Sequence, residues 1–240
     1  MAACHRNAMF ALFVATILAA GRGEHPTIPH QFSCTVEVTA HLVDRTKEYP
    51  PWLRVIEVKY DYLNKRASAI IKKGYEEGKT FIRRYDNKSE FMVRGEPYPE
   101  CVRSYLGETM PEPLLPISAV RVGTETIDGI ECEHWVEDLG TNRVHIYMAP
   151  APGGEGHVYP RRLTDEQVLE SESVPLMTYD WKNLVVGSLP SDTQANGDES
   201  DAELTQSTWY DIPEPYDWRS CSRFLGGFPY LHIFHHYVRF

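Results

Sequence analysis

Phe32-Ser33-Cys34-Thr35-Val36-Glu37-Val38-Thr39-Ala40-His41-Leu42 decides the fold of this chain. Phe32, Cys34, Val36, Val38, Ala40 and Leu42 share one face; Ser33, Thr35, Glu37, Thr39 and His41 share the other. A period of two held this long marks a strand with one buried side. Tyr49-Pro50-Pro51 ends the pattern, and Ile56, Val58, Tyr60 and Tyr62 then restart it against Glu57, Lys59 and Asp61. A turn at Leu63-Asn64-Lys65 leads to a third strand over 66–71, with Ala67, Ala69 and Ile71 inward.

The same rhythm continues along the chain. Phe81, Arg83 and Tyr85 alternate with Thr80, Ile82 and Arg84; Asp86-Asn87-Lys88-Ser89 turns the chain, and Phe91 and Val93 return. Residues 130–138 and 143–148 form a hairpin around Gly140-Thr141-Asn142, with Cys132, His134 and Val136 opposite Glu131, Glu133 and Glu137. A further strand over 174–181 carries Tyr179 and Trp181 on one face. Helices are expected only as short pieces, one at 114–120 and one capped by Thr164 and running to Glu170. The fold class is mainly β (α+β): antiparallel strands with few short helices.

Composition narrows the function. Against 24 Lys plus Arg stand 34 Asp plus Glu, a net charge of −10, which argues against nucleic acid as a partner because phosphate binding needs clustered basic charge. Residues 1–21 read as a secretory signal peptide: His5 and Arg6 open it, Met9 to Ala20 is uncharged and apolar, and Ala19 and Gly21 suit a peptidase. A buried N-terminal helix is the bland alternative. The apolar run is too short to anchor the chain, and no second run of about 18 apolar residues follows, so no transmembrane segment is expected after signal removal. Removing 1–21 takes one Arg and no acid, leaving −11.

Cys4 leaves with the leader, and Cys34, Cys101, Cys132 and Cys221 remain. In an oxidising compartment four cysteines admit three pairings; Cys101–Cys132 with Cys34–Cys221 is the favoured one. Asn87-Lys88-Ser89 is the one N-glycosylation sequon, and it falls on an expected hairpin tip. Residues 22–215 are read as one curved β domain with a mobile acidic loop at about 187–207, and residues 216–240 as a Cys, aromatic and His tail. Between Asn183 and Trp218 the chain has eight acids and no Lys or Arg. Their spacing does not match an EF-hand, so a solvated loop is the reading there.

Reaction chemistry is nearly absent. No GxSxG elbow, HExxH, P-loop or dinucleotide fingerprint occurs. His232 and His236 are weak metal candidates, because strand or helix would place both imidazoles on one side, but no third ligand is near in sequence. His134 and His145, on facing strands of one hairpin, are read as a packed pair. Ile212-Pro213-Glu214-Pro215-Tyr216-Asp217-Trp218-Arg219 resembles the start of mature papain-like peptidases, yet Ser220-Cys221-Ser222-Arg223 follows in place of their nucleophile segment, so protease activity is rejected.

Three stretches carry a resemblance. Tyr60-Asp61-Tyr62-Leu63-Asn64-Lys65-Arg66-Ala67 resembles the tyrosine-rich strand that opens ependymin-related proteins. Asp128-Gly129-Ile130-Glu131-Cys132-Glu133-His134-Trp135, and the run from Tyr179-Asp180-Trp181 through Gly187 to Tyr210-Asp211-Ile212-Pro213, resemble the non-catalytic N-terminal domain of certain cysteine proteases. Together they span roughly 32–215. These families are similar to the LolA-like fold, which implies a strongly curved antiparallel half-barrel with helices in its concavity and an apolar cavity for a lipid. The chain lacks the six-cysteine set of ependymins and carries an extra 221–240 tail.

The expected function is binding of a lipid or other hydrophobic small molecule by a secreted or lumenal glycoprotein, an endolysosomal one included, without catalysis or cofactor. Ile56, Val58, Tyr60, Phe81, Phe91, Trp135, Tyr147 and Trp181 are the candidate cavity lining, though each also suits an ordinary core. Trp135 is singled out because it falls on the otherwise acidic face of its strand. The rival is a protein-interaction module related to a cysteine-protease N-terminal extension. An enzyme would require a metal held by the tail histidines.

Overall fold

In the computed structural model the alternating stretch is strand β1 (Gln31–Ala40). It lies near the middle of one open, curved sheet, between β2 (Leu53–Asp61) and β11 (Ser173–Val186). The structure describes residues 26–153, 156–170, 172–187, 189 and 209–228. The expected leader over 1–21, nearly all of the acidic loop, and His232 and His236 lie outside these residues.

On one side of β1 the chain meanders through β2, β3 (Arg66–Lys73), β4 (Lys79–Arg84), β5 (Ser89–Arg94) and β6 (Glu100–Tyr105). On the other it meanders from β7 (Val120–Ile127) through β8 (Ile130–Asp138), β9 (Asn142–Pro150) and β10 (Val158–Val168) to β11. These pairings are all antiparallel. A two-residue strand, β12 (Ser222–Arg223), adds parallel to β6 at the edge. The two meanders meet where β1 pairs β11, so β6 and β7, adjacent in sequence, sit near opposite edges of the sheet. The hairpin turns follow local chemistry: Asp128-Gly129 joins β7 to β8 with φ of 50° and 81° at its two residues, the left-handed pair of a type I′ turn.

No helix occurs among the described residues, which corrects both expected ones. Residues 106–119 run irregularly: Pro111, Pro113 and Pro116 each remove an N–H donor and push the preceding residue out of the helical region. Thr164 to Val168 belong to β10, paired on both sides to β9 and β11. Two hydrogen-bonded ladders outweigh the local preference for an acidic N-terminal turn.

The expected pairing of cysteines is also corrected. The disulfide is Cys101–Cys221, with Cα atoms 4.6 Å apart, while Cys34 and Cys132 are buried free thiols. Strand order is the reason. Cys101 on β6 and Cys132 on β8 lie at opposite ends of the sheet, and Cys34 points inward from its centre. Burial raises the thiol pKa of both free cysteines, leaving them protonated and inert.

Each face of the sheet has its own core. The larger, on the concave side, is built on Phe32, Val36, Ile56, Val58, Tyr60, Ile71, Phe81, Ile146, Leu163 and Trp181. The smaller joins Ile82, Phe91, Val93 and the disulfide on the convex side, where Ile212 and Tyr216 of the C-terminal segment pack over them. That segment, 209–228, crosses the convex face of β4 to β6, pairs at the edge through β12, and turns onto the concave side, where Phe228 meets Phe81 at 6.1 Å between ring centres.

Candidate functional site

The concave floor is aromatic and fully buried at its centre. Trp181 has no exposed surface, and Phe32 stacks between it and Tyr60 at 5.6 and 5.3 Å. Ile56, Val58, Tyr60, Phe81, Trp135 and Trp181, six of the expected lining residues, are brought together here. Trp135 sits opposite Ile146, so the side of β8 that carries Glu133 and Glu137 is the inner side. Glu137 is buried there and accepts a hydrogen bond from the Ser118 hydroxyl. Burial pushes the Tyr179 phenol, at the floor's rim, up to about 12.

The other two lining residues lie on the convex face. Phe91 pairs with Ile82 and Arg103 under the C-terminal segment, and Tyr147 stacks on His134 at 4.5 Å. Alternation explains the error: Phe91 is one residue out of phase with the inward Met92, and Tyr147 with the inward Ile146 and Met148.

What covers the floor is the β6–β7 crossing, residues 106–119. Because it must pass from one sheet edge to the other, it spans the concavity, and Leu106, Met110, Pro113, Leu115 and Ala119 are buried beneath it. Polar tethers hold it down. The Tyr60 hydroxyl donates to the Pro111 carbonyl, His30 meets Glu112 at 3.2 Å, and Lys88 Nζ donates to the Glu108 carbonyl at 3.1 Å. Arg83, buried against Glu90 at 3.3 Å and Glu108 at 3.4 Å, anchors the start of the crossing. Sequence reasoning missed this cover, although its proline spacing signalled an irregular segment.

On the convex face, the turn bearing Asn87 edges an open cleft of about 860 Å³ between β4–β6 and the C-terminal segment. Asn87 is exposed, and its side-chain oxygen accepts a hydrogen bond from Ser89. Phe91 and Arg103 line the cleft from the sheet; Tyr210, Tyr216, Trp218 and Phe224 line it from the C-terminal segment.

A third cluster crosses β7 to β10 on the convex side. Glu125 contacts His134 Nδ1 at 2.8 Å, His134 Nε2 meets His145 Nδ1 at 2.8 Å, and His145 Nε2 lies 3.5 Å from Glu166. All three contacts are hydrogen bonds only when the two rings carry three N–H protons, one more than two neutral imidazoles hold. Burial pushes the His134 pKa down; the neighbouring His145 acts the same way and Glu125 opposes them. The expected His134–His145 pair is thus in hydrogen-bond contact as well as packed. Among the described residues no group of three or more His, Cys, Asp or Glu is placed to hold a metal ion.

Comparison with known proteins gives likeness without a family. No family model matches the chain, and no curated protein does. An uncharacterised conserved protein of Thermus thermophilus is similar with a TM-score of 0.46 at 13% identity, over 68% of this chain and 82% of that one. A LolA superfamily protein of Nitrosomonas europaea is similar with a TM-score of 0.35 at 14% identity, over 68% and 90%. PNGF-II is similar with a TM-score of 0.31 at 10% identity, over 70% of this chain and 30% of that one. The resemblance to ependymin-related proteins and cysteine-protease N-terminal domains has no counterpart in a family model or a curated protein. The disulfide fits an extracellular or lumenal compartment.

Proposed function

We propose that this chain is a secreted or lumenal glycoprotein, modified at Asn87, that binds a lipid or other hydrophobic small molecule on its concave floor and catalyses nothing. One observation carries the reading: a continuous apolar floor is covered by fourteen residues with neither helix nor strand. Such a cover can lift without breaking a ladder. Its three large apolar side chains, Leu106, Met110 and Leu115, contribute roughly 5–9 kcal/mol when buried. An acyl chain gains about 0.8 kcal/mol per buried CH₂, so on the order of ten carbons are needed before a ligand displaces the cover.

Native mass spectrometry of the secreted protein, followed by organic extraction, tests this. A co-purifying lipid near one per chain, displaced by fatty acids only above that length, supports the reading. A clean apo mass with no uptake of a fluorescent fatty acid at micromolar concentration sinks it.

The protein-interaction reading also has an observation in its favour. β7 pairs only with β8 among the described residues, and the apolar residues beside this open edge are exposed, Ile117 by 96% and Val120 by 63%. An open edge strand with exposed apolar neighbours is a template for another chain. Val122→Lys on this edge abolishes partner capture under that reading and leaves fatty-acid uptake intact.

A further inference from the structure

The convex cleft combines features that the concave floor lacks. A chain of net charge −10 gathers Arg84, Lys88, Arg103 and Arg223 around this one opening. Against them stand Asp211 and Asp217. Asp211 is engaged by Arg84 at 3.3 Å. Asp217 accepts the backbone N–H groups of Arg219 and Ser220 at 2.8 and 2.7 Å, which hold its carboxyl below the usual range. Among the described residues, therefore, no carboxylate pairs with Lys88, Arg103 or Arg223.

Arg103 is the sharpest of the three. It lines the cleft from β6 with its guanidinium 5.2 Å from the centre of the Trp218 ring, and its Nε is buried without a hydrogen-bond partner. A buried guanidinium N–H left unsatisfied is costly, and a bidentate carboxylate or phosphate is the group whose geometry satisfies it. Beside it, Phe91, Tyr105, Trp218 and Phe224 offer apolar and planar surface, with Trp218 and Phe224 about half exposed. The Cys101–Cys221 bond pins the C-terminal wall of the cleft to β6, so the two sides are held in register without a ligand.

We infer that this cleft is a binding site for a small amphipathic anion: a carboxylate or phosphate group, received by Arg103 and Arg223, on an apolar or planar body lying against Trp218 and Phe224. Its volume of about 860 Å³ suits a ligand of that size. The site is separate from the concave floor, where Arg83 is already matched by Glu90 and Glu108.

Calorimetric titration of the full chain with octyl phosphate, octanoate, octanol and inorganic phosphate, each below its aggregation limit and with chains too short to displace the cover of the concave floor, tests the site. The two octyl anions are expected to bind at least about tenfold tighter than octanol, the worth of one charge-assisted contact. They should exceed inorganic phosphate by at least as much, since the body also binds. Arg103→Gln removes the preference over octanol, and Arg223→Gln, at the exposed edge, weakens it without disturbing the cleft floor. Equal affinity for octyl anions and octanol, a preference that survives both variants, or inorganic phosphate binding as tightly as octyl phosphate overturns the inference. Failure of the carrier reading instead shows as absent uptake of neutral and long-chain ligands, with the anion preference intact.

Discussion

Replacing both Cys101 and Cys221 by Ala tests how the C-terminal segment is held. The bond closes a loop of 120 residues, longer than most of the sheet it ties. Chain entropy alone makes such a cross-link worth about 5 kcal/mol at room temperature, because it removes open conformations from the unfolded ensemble. Measured losses for native disulfides run roughly 2–5 kcal/mol, since the unfolded chain keeps some structure. The alanines add little to this, as both thiol positions sit in a small convex core whose Ile82, Phe91 and Val93 stay in place.

Urea unfolding followed by tryptophan fluorescence reads the global loss, and hydrogen exchange reads the segment. The Phe224 amide, bonded to the Arg103 carbonyl at 2.8 Å, is the local reporter. The double variant is expected to lose roughly 2–5 kcal/mol with a raised m-value, because its unfolded chain is more open, while the Phe224 amide exchanges faster than the amides of β1. A loss under about 1 kcal/mol with unaltered exchange at Phe224 would refute the reasoning. It would mean that packing of Ile212 and Tyr216 holds the segment without help from the bond.

Three other outcomes follow from the same geometry. Because burial lowers the His134 pKa, the unfolded chain takes up a proton that the folded one refuses, so stability is full above about pH 6.5 and falls below it by at most about 1.4 kcal/mol per pH unit. His134→Gln should flatten that part of a stability-against-pH curve, in a setting where Glu125, His145 and Tyr147 face the ring and Glu166 faces His145; an unchanged slope assigns the proton elsewhere. Leu115→Ala should cost about 2–5 kcal/mol of stability yet tighten binding of a fluorescent fatty acid, because the cover is then easier to lift; weaker binding contradicts the carrier reading. Alkylation without reduction should label Cys34 and Cys132 only after denaturation and spare Cys101 and Cys221, as peptide mass mapping would report.

The strands were legible because burial of one face imposes a period of two. β1, β2 and the return at β4–β5 appear in the sequence as they do in the structure. The inward face was legible only where the outward one is plainly polar. On β5, Phe91 and Met92 are both apolar, because one faces the C-terminal segment and the other the main core. On β8 the inner side mixes Trp135 with Glu133 and Glu137, while the outer carries His134 and Val136, so polarity pointed the wrong way. The disulfide was illegible for a different reason. Its partners are set by strand order, and nothing local in β6 says that it ends at an edge beside β12 rather than next to β7.

That strand order also explains where the binding features lie. Joining two meanders through β1 and β11 leaves β6 and β7 far apart, and the chain between them crosses the hollow of the sheet, with Leu106, Met110, Leu115 and Ala119 in the main core. The prolines of 106–119 keep this crossing irregular, so the concave floor is closed by a segment without helix or strand rather than by another layer of strands. At the far end, the C-terminal segment closes the β6 edge through β12 and in doing so raises a wall beside Arg103, while β7 pairs only with β8 among the described residues. Both candidate ligand sites are thus formed between a regular strand surface and an irregular segment laid on it. Alternation specifies the surface; the segments carry no period, and their placement depends on contacts made across the whole sheet. Substitutions at exposed positions of 106–119 and 209–228 should therefore move binding more than stability, and substitutions at Phe32 or Trp181 the reverse.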